Sequence, residues 1–285
     1  MIGRPNVGKS TLLNALLGRK VAAVTPKPQT TRTRILGIKT LPHAQLLFID
    51  TPGVHEPRGL LNVRMVEVAR RALSEADVVL CLIDAEAGIQ PADRRVLALA
   101  LESGKALCLA ATKIDLTPKP ALLPLLDELG RLCPERAIVP VSAVTGDNLE
   151  RLLDVLAQAL PEGPAYYPEE EITDQSERDI AAEIIREKVI LETHDEVPYA
   201  VAVTIDEFSE KPEKNLVVIK ATIHVARDSQ KPIVIGQHGN RIKAIGQAAR
   251  RDIEGVLERR VFLELFVRVQ EDWTSSPSRI RDFGL

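Results

Sequence analysis

Eight residues near the amino terminus limit what this chain can fold into more than any other stretch. They read G-x-x-x-x-G-K-S and comprise Gly3, Arg4, Pro5, Asn6, Val7, Gly8, Lys9 and Ser10. The glycines allow backbone N–H groups to turn inward around a β-phosphate, Lys9 supplies positive charge for the β- and γ-phosphates, and the Ser10 hydroxyl can ligate Mg²⁺. Thr11 belongs to a predicted helix whose positive end faces the anion. The sequence therefore predicts a phosphate-binding loop.

A phosphate-binding loop normally follows a buried β-strand, yet only Met1 and Ile2 precede Gly3. We therefore expect a truncated first strand, and we hypothesise that the chain as given begins roughly ten residues inside the natural gene product. Because that strand is normally central in a parallel sheet, its loss would open the core beside the nucleotide site. Ordinary stability of this chain would count against the hypothesis.

Length and composition exclude several classes of protein. A chain of 285 residues is long enough for two domains, and 45% hydrophobic with 27% charged residues is typical of a globular protein. No apolar run reaches the ~18 residues that span a bilayer. The net charge of −3 excludes a uniformly basic nucleic-acid coat, so that any nucleic-acid contact must be local. The three cysteines, Cys81, Cys108 and Cys133, indicate reduced core thiols in a cytoplasmic protein.

Apolar runs alternate with helical patterns through the first half of the chain. Strands are predicted over residues 45–50, 77–84, 106–111 and 137–141, and helices lie between them, for example over residues 63–73 and 122–132. This alternation predicts an α/β domain with a doubly wound, mostly parallel sheet. In such a sheet the site lies outside the carboxyl ends of the strands.

Two further segments fit the phosphate site. Asp50, at the end of a predicted strand, can hold Mg²⁺ through water, and Gly53 can offer its N–H to a γ-phosphate. The polar segment over residues 25–34 lies where a γ-phosphate-sensing switch would be. Thr30 or Thr31 would then give a second hydroxyl to Mg²⁺. Taken alone, these residues also fit a capping aspartate and an ordinary loop.

The segment Thr112, Lys113, Ile114 and Asp115 bears on the choice of base. A carboxylate at Asp115 can accept two hydrogen bonds from guanine, whereas adenine would leave a buried carboxylate unpaired. Ser142, Ala143 and Val144 complete the predicted base site, with the Ala143 N–H directed to the guanine O6. Together these motifs resemble the GTPase branch of the P-loop proteins. Thr112 stands where that pattern usually has Asn. This departure calls into question the contact that the Asn would make between this loop and the phosphate loop.

The sequence predicts nucleotide binding more fully than it predicts how the nucleotide would be hydrolysed. Many GTPases place a water-orienting Gln directly after the D-x-x-G stretch, and here that position is Val54. We assign no catalytic residue. We expect slow intrinsic turnover unless a partner or a bound monovalent cation completes the site.

The second half of the chain predicts a smaller domain with the order α-β-β-α-α-β. Two helices flank the turn Gly236, Gln237, His238 and Gly239, and the second helix carries Arg241 and Lys243. Residues 169–213 contain 15 acidic and 4 basic side chains, whereas residues 227–260 contain 8 basic and 4 acidic ones. A G-x-x-G turn in this setting matches the clamp of a type II KH domain for single-stranded RNA. A small α+β domain with a solvated basic helix is the alternative.

The combined motifs resemble the Era family of bacterial GTPases over nearly the whole chain. The resemblance implies a GTPase domain over residues 1–161, a linker over 162–175 and a type II KH domain over 176–285. It also implies a first switch formed by Gln29, Thr30, Thr31, Arg32 and Thr33, and a second formed by Asp50, Thr51, Pro52, Gly53 and Val54. Mg²⁺ held by Ser10, Thr31 and Asp50, GTP as substrate, and binding of the 3′ end of 16S ribosomal RNA during maturation of the 30S subunit are implied too. A monomeric, cytoplasmic protein with some peripheral contact with the cell membrane is implied as well.

Two other functions fit parts of the sequence. An RNA-binding module with a degenerate nucleotide domain is favoured by the short first strand, and a nucleotide titration would identify it. A GTPase that acts on tRNA modification or on membranes is disfavoured by the KH-like half. Competition between RNA 3′ ends and tRNA would identify that one.

Overall fold

The computed structural model describes residues 1–28, 30–53, 60–194 and 197–284, so that two predicted site residues, Gln29 and Val54, lie outside the described part. The described residues form two compact units. One contains residues 1–21, 31–53 and 65–174, and the other contains residues 22–28, 30, 60–64 and 175–284.

The first unit is built on two groups of strands. Its strands are β1 (Ile35–Leu41), β2 (Ala44–Asp50), β3 (Val78–Asp84), β4 (Ala106–Thr112) and β5 (Ala137–Pro140). The helices up to residue 159 are α1 (Lys9–Leu17), α2 (Leu60–Glu75), α3 (Pro91–Glu102), α4 (Lys119–Leu132) and α5 (Leu149–Ala159). β3, β4 and β5 pair in parallel, as the alternating pattern predicted. β1 and β2 form a separate antiparallel pair, so the strands of the first unit are only partly parallel.

Met1 and Ile2 lie between β2 and β3. Ile2 forms one parallel bridge to Cys81, and its N–H donates to the Leu80 carbonyl at 2.9 Å. The Met1 amine donates to the Ile49 carbonyl at 2.7 Å. Beside this contact lies a cavity of about 730 Å³, lined in part by residues 44–49 of β2 and 78–80 of β3. A cavity therefore lies beside the short amino-terminal segment that takes the place of a full first strand.

Residues 162–174, which the composition assigned to a linker, pack on the edge of the first unit. Thr173 forms an antiparallel bridge to Gly37 of β1, and the Ile38 N–H donates to the Ile172 carbonyl at 2.8 Å. The Gln45 side chain donates to the Tyr167 carbonyl at 2.9 Å. An open strand edge thus supplies hydrogen-bond partners that a proline-rich composition does not predict.

The second unit is an α+β domain with the predicted order. Its strands are β6 (Ala202–Lys211), β7 (Leu216–Val225) and β8 (Arg260–Val269), and its helices are α6 (Glu177–Glu192), α7 (Gln230–Ile235), α8 (Asn240–Leu257) and α9 (Pro277–Asp282). β7 pairs antiparallel with β6 and parallel with β8. A capping box begins α6, because Ser176 Oγ accepts the Asp179 N–H and Asp179 accepts the Ser176 N–H. Buried apolar side chains of α6, α7, α8 and the sheet form the core.

Within the described ranges, the helices are too short or too polar to cross a membrane.

Candidate nucleotide site and nucleic-acid interface

The phosphate loop is closely packed around its own backbone. Gly8 has φ +98°, in the left-handed region that favours glycine, and α1 begins at the next residue. A Cβ on Gly3 would lie 2.7 Å from Val7 Cγ1, so a larger residue would force the loop open. The Lys9 ammonium is nearly buried and donates to the carbonyls of Gly3 (3.3 Å) and Arg4 (3.1 Å). The lysine is thus held inside the loop where a phosphate would lie.

Three oxygen-bearing side chains from distant segments meet next to the loop. Ser10 Oγ lies 2.7 Å from Asp50 Oδ2 and 2.9 Å from Thr31 Oγ1. Thr31 Oγ1 lies 3.4 Å from the same Asp50 oxygen. Asp50 Oδ1 is buried without a hydrogen-bond partner among the described residues. A hard cation with oxygen ligands, such as Mg²⁺, fits this group of donors.

Burial leaves the charges of this site poorly solvated. It lowers the pKa of Lys9 and raises the pKa of Asp50, and in each case the opposite charge of the other residue reduces the shift. An anionic phosphate beside Lys9 and a divalent cation beside Asp50 would both stabilise the charged forms. The site is therefore electrostatically suited to a metal-bound phosphate.

The structure separates the two threonines that the sequence left as alternatives for Mg²⁺. The Thr30 hydroxyl lies 2.6 Å from Thr25 Oγ1, and the Thr30 carbonyl accepts a hydrogen bond from Arg186 on α6. Thr31, in contrast, is buried with its hydroxyl at Ser10 and Asp50. Thr31 is therefore placed to ligate a metal, whereas Thr30 is not.

The remaining residues of the two predicted switches lie around this group. Arg32 is buried and Thr33 is half-buried. Thr51 is buried, with its hydroxyl donating to the Met1 carbonyl at 2.9 Å, and Pro52 is buried too. Gly53 lies against the phosphate loop, because a Cβ there would come within 2.9 Å of the Pro5 nitrogen. The second predicted switch therefore contacts the phosphate loop at Pro5.

Thr112 links the predicted base loop to the phosphate loop. Its buried Oγ1 lies 2.7 Å from the Val7 carbonyl and 3.1 Å from the Ile83 carbonyl. The link that the departure from Asn called into question is thus made by a threonine, whose shorter side chain reaches because β4 brings the two backbones together. The two loops are connected at the carboxyl ends of the strands.

The polar groups of the base site are aligned by one serine. Ser142 Oγ donates to Asp115 Oδ1 at 2.6 Å and accepts the backbone N–H groups of Val144 (3.2 Å) and Thr145 (3.1 Å). The Asp115 side chain is exposed, as is Val144, while Ile114 and Ala143 are half-buried. This leaves one edge of the Asp115 carboxylate for a ligand.

Sequence reasoning gave no role to Asp84, the last residue of β3. One of its oxygens, Oδ2, accepts hydrogen bonds from Arg4 at 3.1 Å and from Lys113 at 2.7 Å. The signal was present, because Asp84 ends an apolar strand as Asp50 does. Asp84 is not followed by a D-x-x-G motif of the kind that singled out Asp50.

The G-x-x-G turn of the second unit is sharply bent. Gly236, His238 and Gly239 have φ of 74°, 51° and 77°, and α8 begins directly after them. A Cβ on Gly236 would lie 2.7 Å from Arg241 Cβ, so this glycine permits the bend. Gln237 and His238 are exposed, as is Lys243 on the first turn of α8. The Arg241 guanidinium donates to the Ile233 carbonyl and so also joins α8 to α7.

Comparison with protein families matches both units. The model of the 50S ribosome-binding GTPases matches residues 1–113, and the KH-domain model matches residues 196–274. Together with the phosphate loop and the base loop, these matches define a P-loop GTPase joined to a KH domain.

Full-length relatives identify the family. The chain is 49% identical to the GTPase Era of Syntrophus aciditrophicus over 284 residues, covering 100% of this chain and 93% of that protein. It is 46% identical to the GTPase Era of Aquifex aeolicus, with coverage of 100% and 97%. The chain belongs to the Era family of GTPases.

Solved structures of Era agree closely with this fold. A variant of Aquifex aeolicus Era bound to GDP.AlF4⁻ superimposes with a TM-score of 0.95 at 45% identity, covering 99% of this chain and 96% of that one. Era in complex with MgGDPNP and nucleotides 1506–1542 of 16S ribosomal RNA gives a TM-score of 0.94 at 46% identity, with the same coverage.

Proposed function

We propose that this protein binds and slowly hydrolyses GTP and, through its KH domain, binds the 3′ end of 16S ribosomal RNA during maturation of the 30S subunit. One observation carries the nucleotide part, namely the meeting of Ser10, Thr31 and Asp50 within 3.4 Å beside a buried lysine. The structure of Era in complex with MgGDPNP and nucleotides 1506–1542 of 16S ribosomal RNA supports the proposal.

Each end of a bound GTP would contact a different loop. Backbone N–H groups of residues 3–11 and the Lys9 ammonium would surround the phosphates, and Gly53 would approach the γ-phosphate. Ser10, Thr31 and Asp50 would hold Mg²⁺, Asp50 through water. Asp115, oriented by Ser142, would accept the guanine N1–H and 2-amino group.

Hydrolysis in this site depends on charge neutralisation rather than on covalent chemistry. Mg²⁺ supplies charge for the β- and γ-phosphates when it is bound. The chain itself contributes the Lys9 charge and the carboxylate of Asp50, which is fully buried. We assign no water-orienting side chain, and slow intrinsic turnover follows from that.

The RNA part of the proposal rests on the sharp turn before α8. Close approach of a phosphate backbone needs a turn without bulky side chains, which Gly236 and Gly239 provide. The exposed Lys243 supplies positive charge next to it. The proposed domains are a GTPase domain over residues 1–161, a linker over 162–175 and a KH domain over 176–285. We further propose that the protein is a cytoplasmic monomer that makes peripheral contact with the membrane.

The nucleotide part is tested by titrating the protein with GTP, GDP and ATP, with and without Mg²⁺. We expect binding of both guanine nucleotides and roughly 10- to 100-fold weaker ATP binding, because adenine lacks the paired donors that Asp115 can accept and a hydrogen bond to a charged group contributes about 1.5–3 kcal/mol. Similar affinities for ATP and GTP, or no nucleotide binding, would overturn it and favour the degenerate nucleotide domain.

The RNA part is tested with an oligonucleotide of the 3′ end of 16S ribosomal RNA, and tRNA serves as competitor. We expect Lys243→Ala to weaken binding and to reduce the slope of log affinity against log salt by about 1. Lys214→Ala is the matched control, because Lys214 lies away from the G-x-x-G turn. Its neighbour Asn215 accepts the Arg260 N–H, and Arg260 follows the carboxyl end of α8. Equal effects of the two substitutions, or preference for tRNA, would contradict the proposal.

A further inference from the structure

Asp84 lies at the carboxyl end of β3, and its register partner is Thr112, the last residue of β4. The side chain is almost completely buried, with a relative exposure of 5%. Its Oδ1 accepts the backbone N–H groups of Glu86 (3.1 Å) and Ala87 (3.2 Å) and so stabilises the turn after the strand. That half of the carboxylate has an ordinary structural role.

The other oxygen connects two loops that hold different ends of a nucleotide. Oδ2 accepts from Arg4 Nη2 of the phosphate loop at 3.1 Å and from Lys113 Nζ of the base loop at 2.7 Å. Arg4 is held from a second side, because its Nε lies 3.3 Å from Oδ2 of the fully buried Asp93 at the start of α3. The position of Arg4 is therefore set by two buried carboxylates.

The backbone of Lys113 has an unusual conformation that contacts of its side chain can help to stabilise. Its φ is +60°, in the left-handed region that a non-glycine residue rarely adopts. A backbone in that region persists where surrounding contacts hold it. With the ammonium held at Asp84, the alkyl stem of Lys113 has a fixed course next to the base site. A free lysine would sample many rotamers, and guanine binding would have to order them.

We propose that Asp84 is a positioning residue for guanine-nucleotide binding, which fixes the Lys113 stem against the base. The inference rests on the proposed nucleotide site. Asp84 itself would not touch the nucleotide and would act through Lys113.

A double-mutant cycle on GDP affinity tests this inference. Asp84→Asn keeps the shape of the side chain and the acceptor for the turn but removes the charge. In the presence of Lys113 we expect it to weaken GDP binding about tenfold, a change of about 1.4 kcal/mol. In a Lys113→Ala background we expect less than twofold, because the group through which Asp84 acts is already missing.

Controls separate positioning from a general loss of structure. Glu128→Gln also removes a carboxylate from an ion pair, the exposed contact with Arg94 at 2.6 Å, and should leave GDP affinity unchanged. If Asp84→Asn does not fold, as judged by circular dichroism, Lys113→Met takes its place, because it keeps the stem but cannot pair. Lys113→Met should then weaken GDP binding about as much as Lys113→Ala does.

The outcomes are distinct. A tenfold loss that persists in the Lys113→Ala background, or a Lys113→Met variant that binds like the unchanged protein, would overturn the positioning role while leaving the nucleotide site intact. An unchanged protein that does not bind GDP would instead overturn the proposed function, and this inference with it.

Discussion

Thr112→Val removes a hydroxyl that joins the base loop to the phosphate loop. The substitution keeps a β-branched side chain and takes away a buried donor that lies 2.7 Å from the Val7 carbonyl. A buried hydrogen bond contributes about 1 kcal/mol net, and a carbonyl left without a partner costs about 1–3 kcal/mol. If about 1–2 kcal/mol of this appears in binding, GDP affinity should fall about 5- to 30-fold.

Affinity is affected because one ligand binds to both loops. The hydrogen bond fixes their separation before the nucleotide arrives, and without it binding has to restore that separation. The assay is a titration with a fluorescent GDP analogue, with dissociation rates measured in parallel. We expect most of the change to appear as faster dissociation.

Two variants serve as controls for Thr112→Val. Thr117→Val makes the same chemical change on the same loop, but the Thr117 hydroxyl donates back to the Lys113 carbonyl at 3.3 Å and makes no link to the phosphate loop. Thr112→Asn retains a donor at the linking position. GDP affinity should be kept in both. Unchanged affinity in Thr112→Val, or an equal loss in Thr117→Val, would refute the reasoning.

Three further predictions follow from the site and the second unit. Ser10→Ala should abolish most of the gain in GTP affinity that Mg²⁺ gives, while binding measured in EDTA changes little. Gly53→Ala should weaken GTP binding and slow hydrolysis, because the new Cβ would lie 2.9 Å from a backbone nitrogen of the phosphate loop; Gly130→Ala, with open space around it, should not. Burial lowers the pKa of His224 below 6.5, so the unfolded chain binds the proton more tightly and the second unit should lose stability as pH falls below about 6.5. Fluorescence of Trp273 during urea unfolding should record this loss, and His224→Gln should reduce it.

Local signals account for most of what could be predicted. Both β3 and β4 are continuous apolar runs, and their predicted bounds agree with the structure to within one residue. The G-x-x-G turn was recognisable because glycine permits the positive φ that the turn requires.

The structure differs from the sequence-based predictions where a contact joins distant parts of the chain. The strand β1 was not predicted, and its antiparallel pairing with β2 depends on a partner rather than on its own pattern. Residues 162–174 have a linker composition, yet β1 supplies their hydrogen-bond partners. Propensity is a weak guide wherever such tertiary contacts decide the outcome.

The sequence by itself determined that this chain carries a phosphate loop, a guanine-type base loop and a KH-like turn, because each is a short motif whose chemistry depends on neighbouring residues. The tertiary structure decided that Thr31 and not Thr30 meets Ser10 and Asp50, since the direction of a side chain in a loop depends on what packs against it. It also decided that Asp84 joins the two nucleotide loops, because parallel strands bring residues far apart in the chain to one edge of the sheet.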